Sequence, residues 1–329
     1  MKKLLTLLMA VAMLTACCAL TSCGEQDDGK YTVGIIQYMP HDALDAATQG
    51  FKDALIAELG EENVSFKLQD AQGDATTCTT IVNDFVTKKV DLIMANATPA
   101  LQAANNATET IPVVGTSITA YGVALGIENF DGKVGTNVTG AADLANLEKQ
   151  AKMVKDLFPE AQTVALLYCS GEPNSDYQVK IVKEHLEGLG LTTELFPFSD
   201  SNDVAAVAAA AAAKDVIYVP TDNTAATCTL AIYGAIGDTP LIAGEESTCK
   251  GCGVATLTIS YYDMGYVAGK MAAKILKGEA KPEDMPIEIV PDDKQVYKYN
   301  ATRCEELGID VSALEAAGYV VIPGTEIKG

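Results

Sequence analysis

A set of three short apolar runs occurs twice in this chain, in the same order, and this duplication restricts the fold more than any other feature. The first set reads TVGIIQYM from Thr32, DLIMANATPA from Asp91 and IPVVGTS from Ile111. The second reads TVALLYCS from Thr163, DVIYVPTDNT from Asp215 and TPLIAGEES from Thr239. Each run is rich in aliphatic residues, ends in small polar ones and is followed by a stretch with helical spacing. Buried parallel strands that feed helices have this pattern. Two such lobes place a cleft at the carboxyl ends of their strands, where α/β proteins hold small molecules.

The expected class is therefore α/β: two Rossmann-like lobes with parallel sheets and a ligand cleft between them. In the first lobe, strands are expected over 32–38, 64–69, 91–95 and 111–115, with helices over 43–59, 75–88 and from Thr98-Pro99 onward. Residues 122–140 are glycine-rich and read as an irregular covering loop. A helix over 143–158 should lead into the second lobe. There, strands over 164–168, 192–196, 216–219, 241–243 and 254–259 alternate with helices over 176–188, 203–213 and 225–235. A helix over 261–277 should return to the first lobe, and the tail suggests a strand over 287–290 and a helix over 301–307. The resulting division is 31–142 for lobe one, 143–258 for lobe two, 259–282 for the return and 283–329 for a C-terminal segment assigned to lobe two.

The N-terminus sets the compartment. Met1-Lys2-Lys3 is a short positive region, and the apolar run from Leu4 to Leu14 is too short to span a bilayer. Two tetrads then fit a bacterial lipoprotein signal, Leu14-Thr15-Ala16-Cys17 and Leu20-Thr21-Ser22-Cys23. Cys23 is the preferred lipidation site, because the polar Gly24-Glu25-Gln26-Asp27-Asp28-Gly29 that follows makes a better tether than Cys18-Ala19-Leu20 would. Cys17 is the alternative. Residues 1–22 then form the signal and 23–30 the tether of an exported chain held by lipid to the outer side of the membrane.

Acids outnumber bases, 44 to 23, for a formal charge of −21, and Arg303 is the single arginine. A nucleic-acid partner would demand a basic face, so that class is excluded. Of nine cysteines, six fall in the body of the chain: Cys78, Cys169, Cys228, Cys249, Cys252 and Cys304. Their connectivity is not readable from sequence. Cys249-Lys250-Gly251-Cys252 has no second ligand pair, so a turn-stapling disulfide or free thiols is expected there rather than zinc or redox chemistry. No histidine pair has metal-ligand spacing, and no metal or cofactor is expected.

Several segments together resemble the substrate-binding proteins of ABC importers, in the subfamily of tryptophan/tyrosine-type (TrpX-like) binding lipoproteins. They are GIIQYMPHDALDAATQGF from Gly34, LQDAQGD from Leu68, DLIMANATPALQAA from Asp91, IPVVGTSIT from Ile111 and NVTGAAD from Asn137. Further on come YCSGEPNSDYQV from Tyr168, YVPTDNT from Tyr218, AGEES from Ala243 and ISYYDMGYVAGKMAAKILKG from Ile259. The resemblance implies the type I periplasmic-binding fold, an ABC permease as partner, a monomeric receptor and no catalysis. Two departures stand out: Ala120-Tyr121 where the family leads one to expect Asp-Pro, and the Cys249–Cys252 segment.

An amino acid in such a cleft presents a carboxylate, an ammonium and a side chain. Helix-start amides and hydroxyls suit the carboxylate, which points to Thr98, Thr116 and Ser117, although an N-cap before Pro99 also accounts for Thr98. The ammonium wants acceptors. Asp222 and Asn223 are candidates, since Thr224 can cap the following helix itself, and so is one of Glu245 and Glu246. For an aromatic side chain, Tyr38, Tyr168 and Tyr261 lie at strand and helix ends. Asn174 with Ser175, Gln37, His41 and Gln72 form a second tier. The expected activity is capture of an amino acid, aromatic in type, by hinge closure. The alternatives are a nucleoside or sugar receptor of the same fold, which the lack of Trp disfavours, and a thiol-redox protein. No serine elbow, phosphate loop or histidine constellation supports an enzyme.

Overall fold

The structure is a computed structural model that describes residues 30–326; the signal, Cys17, Cys23 and most of the tether lie outside these residues. The first sheet has six strands in the order β11-β5-β4-β3-β1-β2 and the second seven in the order β13-β12-β10-β9-β8-β6-β7. In the first, β1 is Tyr31–Gln37, β2 Val64–Asp70, β3 Leu92–Asn96, β4 Val113–Ile118, β5 Val138–Ala142 and β11 Glu288–Ile289. In the second, β6 is Thr163–Cys169, β7 Thr192–Phe198, β8 Val216–Val219, β9 Leu241–Ala243, β10 Ala255–Thr258, β12 Val296–Tyr299 and β13 Val320–Val321. All pairings are parallel except β10 with β12. Within each lobe the first five strands in chain order run 2-1-3-4-5 across the sheet, so the sequence duplication is a duplication of topology. Each lobe reverses direction between its first and third strands, and a crevice opens there.

Helices cover both faces of each sheet. Helix α1 (Asp42–Leu59), α2 (Ala75–Thr87), α3 (Thr98–Ala107) and α4 (Tyr121–Leu125) follow the strands of lobe one. Helices α5 (Leu147–Leu157), α6 (Pro173–Gly188), α7 (Val204–Ala211), α8 (Asn223–Thr227), α9 (Thr229–Ile236) and α10 (Glu246–Cys252) serve lobe two. Helix α11 (Tyr261–Leu276) returns to pack on α1, and α12 (Ala301–Glu306) and α13 (Val311–Ala316) close the chain. Alternation along each strand divides its side chains between two cores. Val33 and Ile35 of β1 meet α1 and α11, whereas Ile36 meets α2 and α3. In β6, Val164, Leu166 and Tyr168 enter the core under α5 and α6, while Ala165, Leu167 and Cys169 enter that under α7, α9 and α10.

The chain crosses between sheets three times: between β5 and α5, between β10 and α11, and between β11 and β12. The segment from 283, expected wholly in lobe two, first adds β11 to the lobe-one sheet. The expected covering loop over 122–140 also contains more order than its composition suggests. Helix α4 lies in it, and β5, whose VTGAA sequence has no residue larger than valine, starts in it. A Cβ at Gly115 would lie 2.4 Å from the Tyr121 hydroxyl, and one at Gly140 only 2.0 Å from the Gly115 carbonyl. The two bare backbones thus make room for Tyr121, the residue that departs from the family pattern. The expected turn at Cys249–Cys252 is helix α10, capped by Glu245, and all six body cysteines are free thiols.

Candidate functional site

The cleft between the lobes is built from strand ends and crossing segments. Lobe one supplies His41 and Leu44 after β1, and Ser117 and Thr119 at the end of β4. Lobe two supplies Asn174 at the start of α6, Thr221, Asp222 and Asn223 after β8, and Glu245 after β9. Asp143 and Tyr261 enter from two of the crossings and meet each other, the Tyr261 hydroxyl donating to Asp143 Oδ2 at 3.0 Å. The lobes touch directly through His41 Nε2 and Asn223 Oδ1 at 3.3 Å, and at the rim through Lys250 and Asp42 at 3.4 Å. About 10 Å³ of free space remains inside, roughly the room of one water. The lobes are closed on each other.

Four acids are buried around this cleft: Asp143, Glu172, Asp222 and Glu245, each at most 4% exposed. None of the ion pairs among the described residues involves them. Buried carboxylates without a cation need donors, and three have them on both oxygens. Glu245 accepts from the Ser247 and Thr248 amides. Asp222 accepts from the Ala225 amide on one oxygen, at 2.8 Å, and the Cys169 amide on the other, at 2.6 Å. Glu172 accepts from the Asn223 and Thr224 amides and from the Thr224 hydroxyl. Asp143 is different, because its Oδ1 has no partner at all. Burial pushes its carboxyl up to about 6, opposed chiefly by the hydrogen bond from Tyr261. Burial, and then the charge of Glu172, also raises Asp222.

Two further atoms in the cleft wall share that condition, Asn174 Oδ1 and His41 Nδ1. Unsatisfied buried polar atoms are costly, and three of the seven among the described residues belong to side chains that line this one small space, which makes it the candidate ligand site. A carboxylate oxygen and an amide oxygen can only accept, so the complementary ligand group is a donor, and a cationic one fits best beside Asp143.

The structure brings together Ser117, Asn174, Asp222, Asn223, Glu245 and Tyr261 of the sequence-derived set. It does not bring in four others. Tyr38 gives its hydroxyl to Gly73 O at 2.8 Å and borders an adjoining, solvent-open depression with Met39, Pro40, Gln72 and Glu172. Tyr168 points into the core beneath α5 and α6, since strand alternation turns it away from the cleft. Thr98 is the first residue of α3 rather than its cap, which is Ala97, and Thr116 bonds Ser117 Oγ at 3.2 Å. Ser117 holds a left-handed φ of 58°, a costly conformation for a side chain beyond glycine and one that clusters at binding sites. Gln37 is occupied internally, bonding Asp45, Thr48 and Met39 O.

The capping logic around Asp222 is the reverse of the expected one. Asp222 itself caps α8, and Thr224 turns its hydroxyl to Glu172, so each oxygen of Asp222 already holds a backbone amide, unlike Asp143 Oδ1. Asp143, Glu172, Thr119 and Thr221 were not foreseen. Asp143 sat inside an expected helix over 143–158, but that helix begins only at Leu147, capped by Asn146. Glu172-Pro173 carried the usable signal, an acid just ahead of a proline at a helix start.

Residues 32–317 match the family of ABC transporter substrate binding proteins. The chain belongs to this family. It is 30% identical to a tyrosine-binding protein of Clostridioides difficile, over 99% of this chain and 97% of that one. Among solved structures, it is 31% identical to a Streptococcus pneumonia ABC-domain protein in complex with L-Trp, with a TM-score of 0.83 over 89% of this chain and all of that one. A substrate-binding protein with adhesive properties from Clostridium difficile, in its ligand-free, open form, is 34% identical over 88% of this chain and 99% of that one, with a TM-score of 0.67. The higher-identity relative superposes less well. The family of this binding protein binds and delivers substrates and is not catalytic, which answers the enzyme alternative.

Proposed function

We propose that this binding protein captures an aromatic amino acid outside the cytoplasm and hands it to an ABC permease, held to the membrane by lipid on Cys23. The observation that carries the reading is the partnerless, buried Asp143 Oδ1 in a cleft closed by both lobes. An α-ammonium satisfies it, together with Asn174 Oδ1, and gains strength from the low dielectric around it. Ser117 and Thr119 offer hydroxyls for the α-carboxylate. The aromatic class is supported by the ligands of the two relatives, tyrosine and L-Trp, both aligned over nearly the whole chain. The free space is far too small for any amino acid, so the lobes must part to admit it and re-close around it, with affinity drawn from contacts that exist only when both lobes engage.

Isothermal titration of the mature protein with amino acids, nucleosides and sugars tests the reading. Aromatic amino acids should bind, and at a hundred times Kd should stabilise the protein by roughly 2.7 kcal/mol. Heat from sugars or nucleosides alone would overturn the ligand assignment while leaving the family intact. For the anchor, Cys23→Ser should shift the protein from the membrane fraction to the soluble one. Retention on the membrane by Cys23→Ser, and release by Cys17→Ser, would move the lipid to Cys17.

A further inference from the structure

Glu172 lies behind the cleft wall, 1% exposed, and does more than cap α8. Its Oε2 accepts from the side-chain amide of Asn223 at 2.6 Å and from that of Asn174 at 3.1 Å. The Asn174 NH₂ group has two other neighbours, Thr221 O at 3.2 Å and Ser175 Oγ at 3.3 Å. A carboxylate and a carbonyl can only accept, so neither amide can be turned round without setting oxygen against oxygen. Both carbonyl oxygens are thereby aimed away from Glu172. Asn174 Oδ1 has no partner, and Asn174 lines the cleft. Asn223 Oδ1 reaches across to His41 Nε2, and because that oxygen only accepts, Nε2 must carry the ring proton. In the neutral ring His41 Nδ1, also without a partner, is then a bare acceptor.

We propose that Glu172 is the positioning residue that makes this cleft select a primary ammonium, by fixing the orientation of two asparagine amides and, through one of them, the tautomer of His41. The inference rests on the amino-acid reading above and deepens it. Three partnerless acceptors, Asp143 Oδ1, Asn174 Oδ1 and His41 Nδ1, belong to residues that line one small space from a crossing segment, lobe two and lobe one. They match the three N–H donors of an α-ammonium, whereas a deamino analogue offers none of these donors and an N-acetyl analogue only one. Satisfying all three also joins the lobes, so recognition of the ammonium and closure become one event.

Replacing Glu172 by Gln leaves a single acceptor oxygen for the donors that two carboxylate oxygens now hold: the Asn174 and Asn223 side chains with the Asn223 amide on one, the Thr224 amide and hydroxyl on the other. Either the glutamine amide turns its NH₂ to the asparagines, and one of them turns its oxygen back, removing an acceptor from the cleft or the constraint on His41, or the NH₂ meets the Thr224 amide and displaces the start of α8, Asn223 included. The test is titration of wild type, Glu172→Gln and Asn174→Ala with L-Trp and with indole-3-propionate, which keeps the ring and carboxylate and lacks the amine. Wild type should prefer L-Trp by about a hundredfold or more. Both variants should lower that preference by roughly tenfold or more, with indole-3-propionate affinity nearly unchanged. A purely structural role would weaken both ligands alike and leave the ratio intact, which would overturn the inference. Asn174→Ala leaves the other bonds of Glu172 in place, so an unchanged preference in it overturns the inference even if Glu172→Gln does not fold. An unselective wild type would instead remove the amino-acid reading and the inference with it.

Discussion

Asp143→Asn is expected to lower amino-acid affinity by about a hundredfold or more while making the ligand-free protein more stable. The two effects share one cause. Asp143 is fully buried, has one oxygen without a donor, and its carboxyl is pushed up to about 6, chiefly by burial. The unfolded chain ionises near the ordinary aspartate value of about 3.9, so between there and 6 the folded protein holds the extra proton. Stability from this group therefore falls as pH rises through that window, and the full cost of about 3 kcal/mol remains above it. Asparagine keeps the shape and removes the charge, so that part of the slope should vanish from denaturant titrations run at pH 4 to 7. The raised carboxyl of Asp222 contributes a slope of the same sign and should survive the substitution.

Ligand binding reverses the balance. An ammonium on Asp143 favours the carboxylate, so below about pH 6 binding must expel a proton, and affinity should fall by up to about tenfold per pH unit. Calorimetry at pH 5.5 in two buffers of different ionisation enthalpy would show that proton release directly. Asp143→Asn should abolish it. If the variant binds L-Trp as tightly as wild type, or releases the same proton, the ammonium is held elsewhere.

Gly265→Ala should destabilise the protein by roughly 3 kcal/mol or more, lowering the unfolding midpoint by roughly 5–10 °C in scanning calorimetry. Helices α1 and α11 pack backbone to backbone across lobe one. A Cβ at Gly265 would sit 2.0 Å from the Ala47 carbonyl oxygen, and one at Gly50 2.1 Å from that of Tyr262. Backbone cannot yield as a flexible side chain can, so the helices must separate, loosening the core formed by Val33, Ile35, Phe51 and Met264. Tyr261, at the first residue of α11, would shift with its helix and weaken the bond to Asp143. A midpoint within a degree of wild type would mean that the helices are not held at this distance in solution.

Much of the fold was legible because burial on both sheet faces writes itself as continuous apolar runs, and each lobe repeats them. β1, β3, β6 and β8 needed nothing else. β5 was invisible for the converse reason: VTGAA is small because Gly115, Gly140 and Tyr121 share one crowded space, a fact set by residues distant in sequence. The site was partly legible for a similar reason. Strand ends mark the cleft, so Ser117, Asp222, Asn223, Glu245 and Tyr261 could be picked out. Strand alternation, which depends on register, then removed Tyr168.

What the sequence determined by itself is the architecture, the family and the rim of residues from which a site must be drawn, because local periodicity and strand-end chemistry are properties of neighbouring residues. The tertiary structure alone decided which acid is free. Asp222 and Glu172 look as available as Asp143 in a string of letters, yet backbone amides from β6 and α8 bond both oxygens of each, while Asp143 on its crossing segment keeps one without a donor. Hydrogen-bond satisfaction is a sum over partners brought together by folding, some of them more than a hundred residues apart as Asp143 and Tyr261 are, and no local pattern carries that sum.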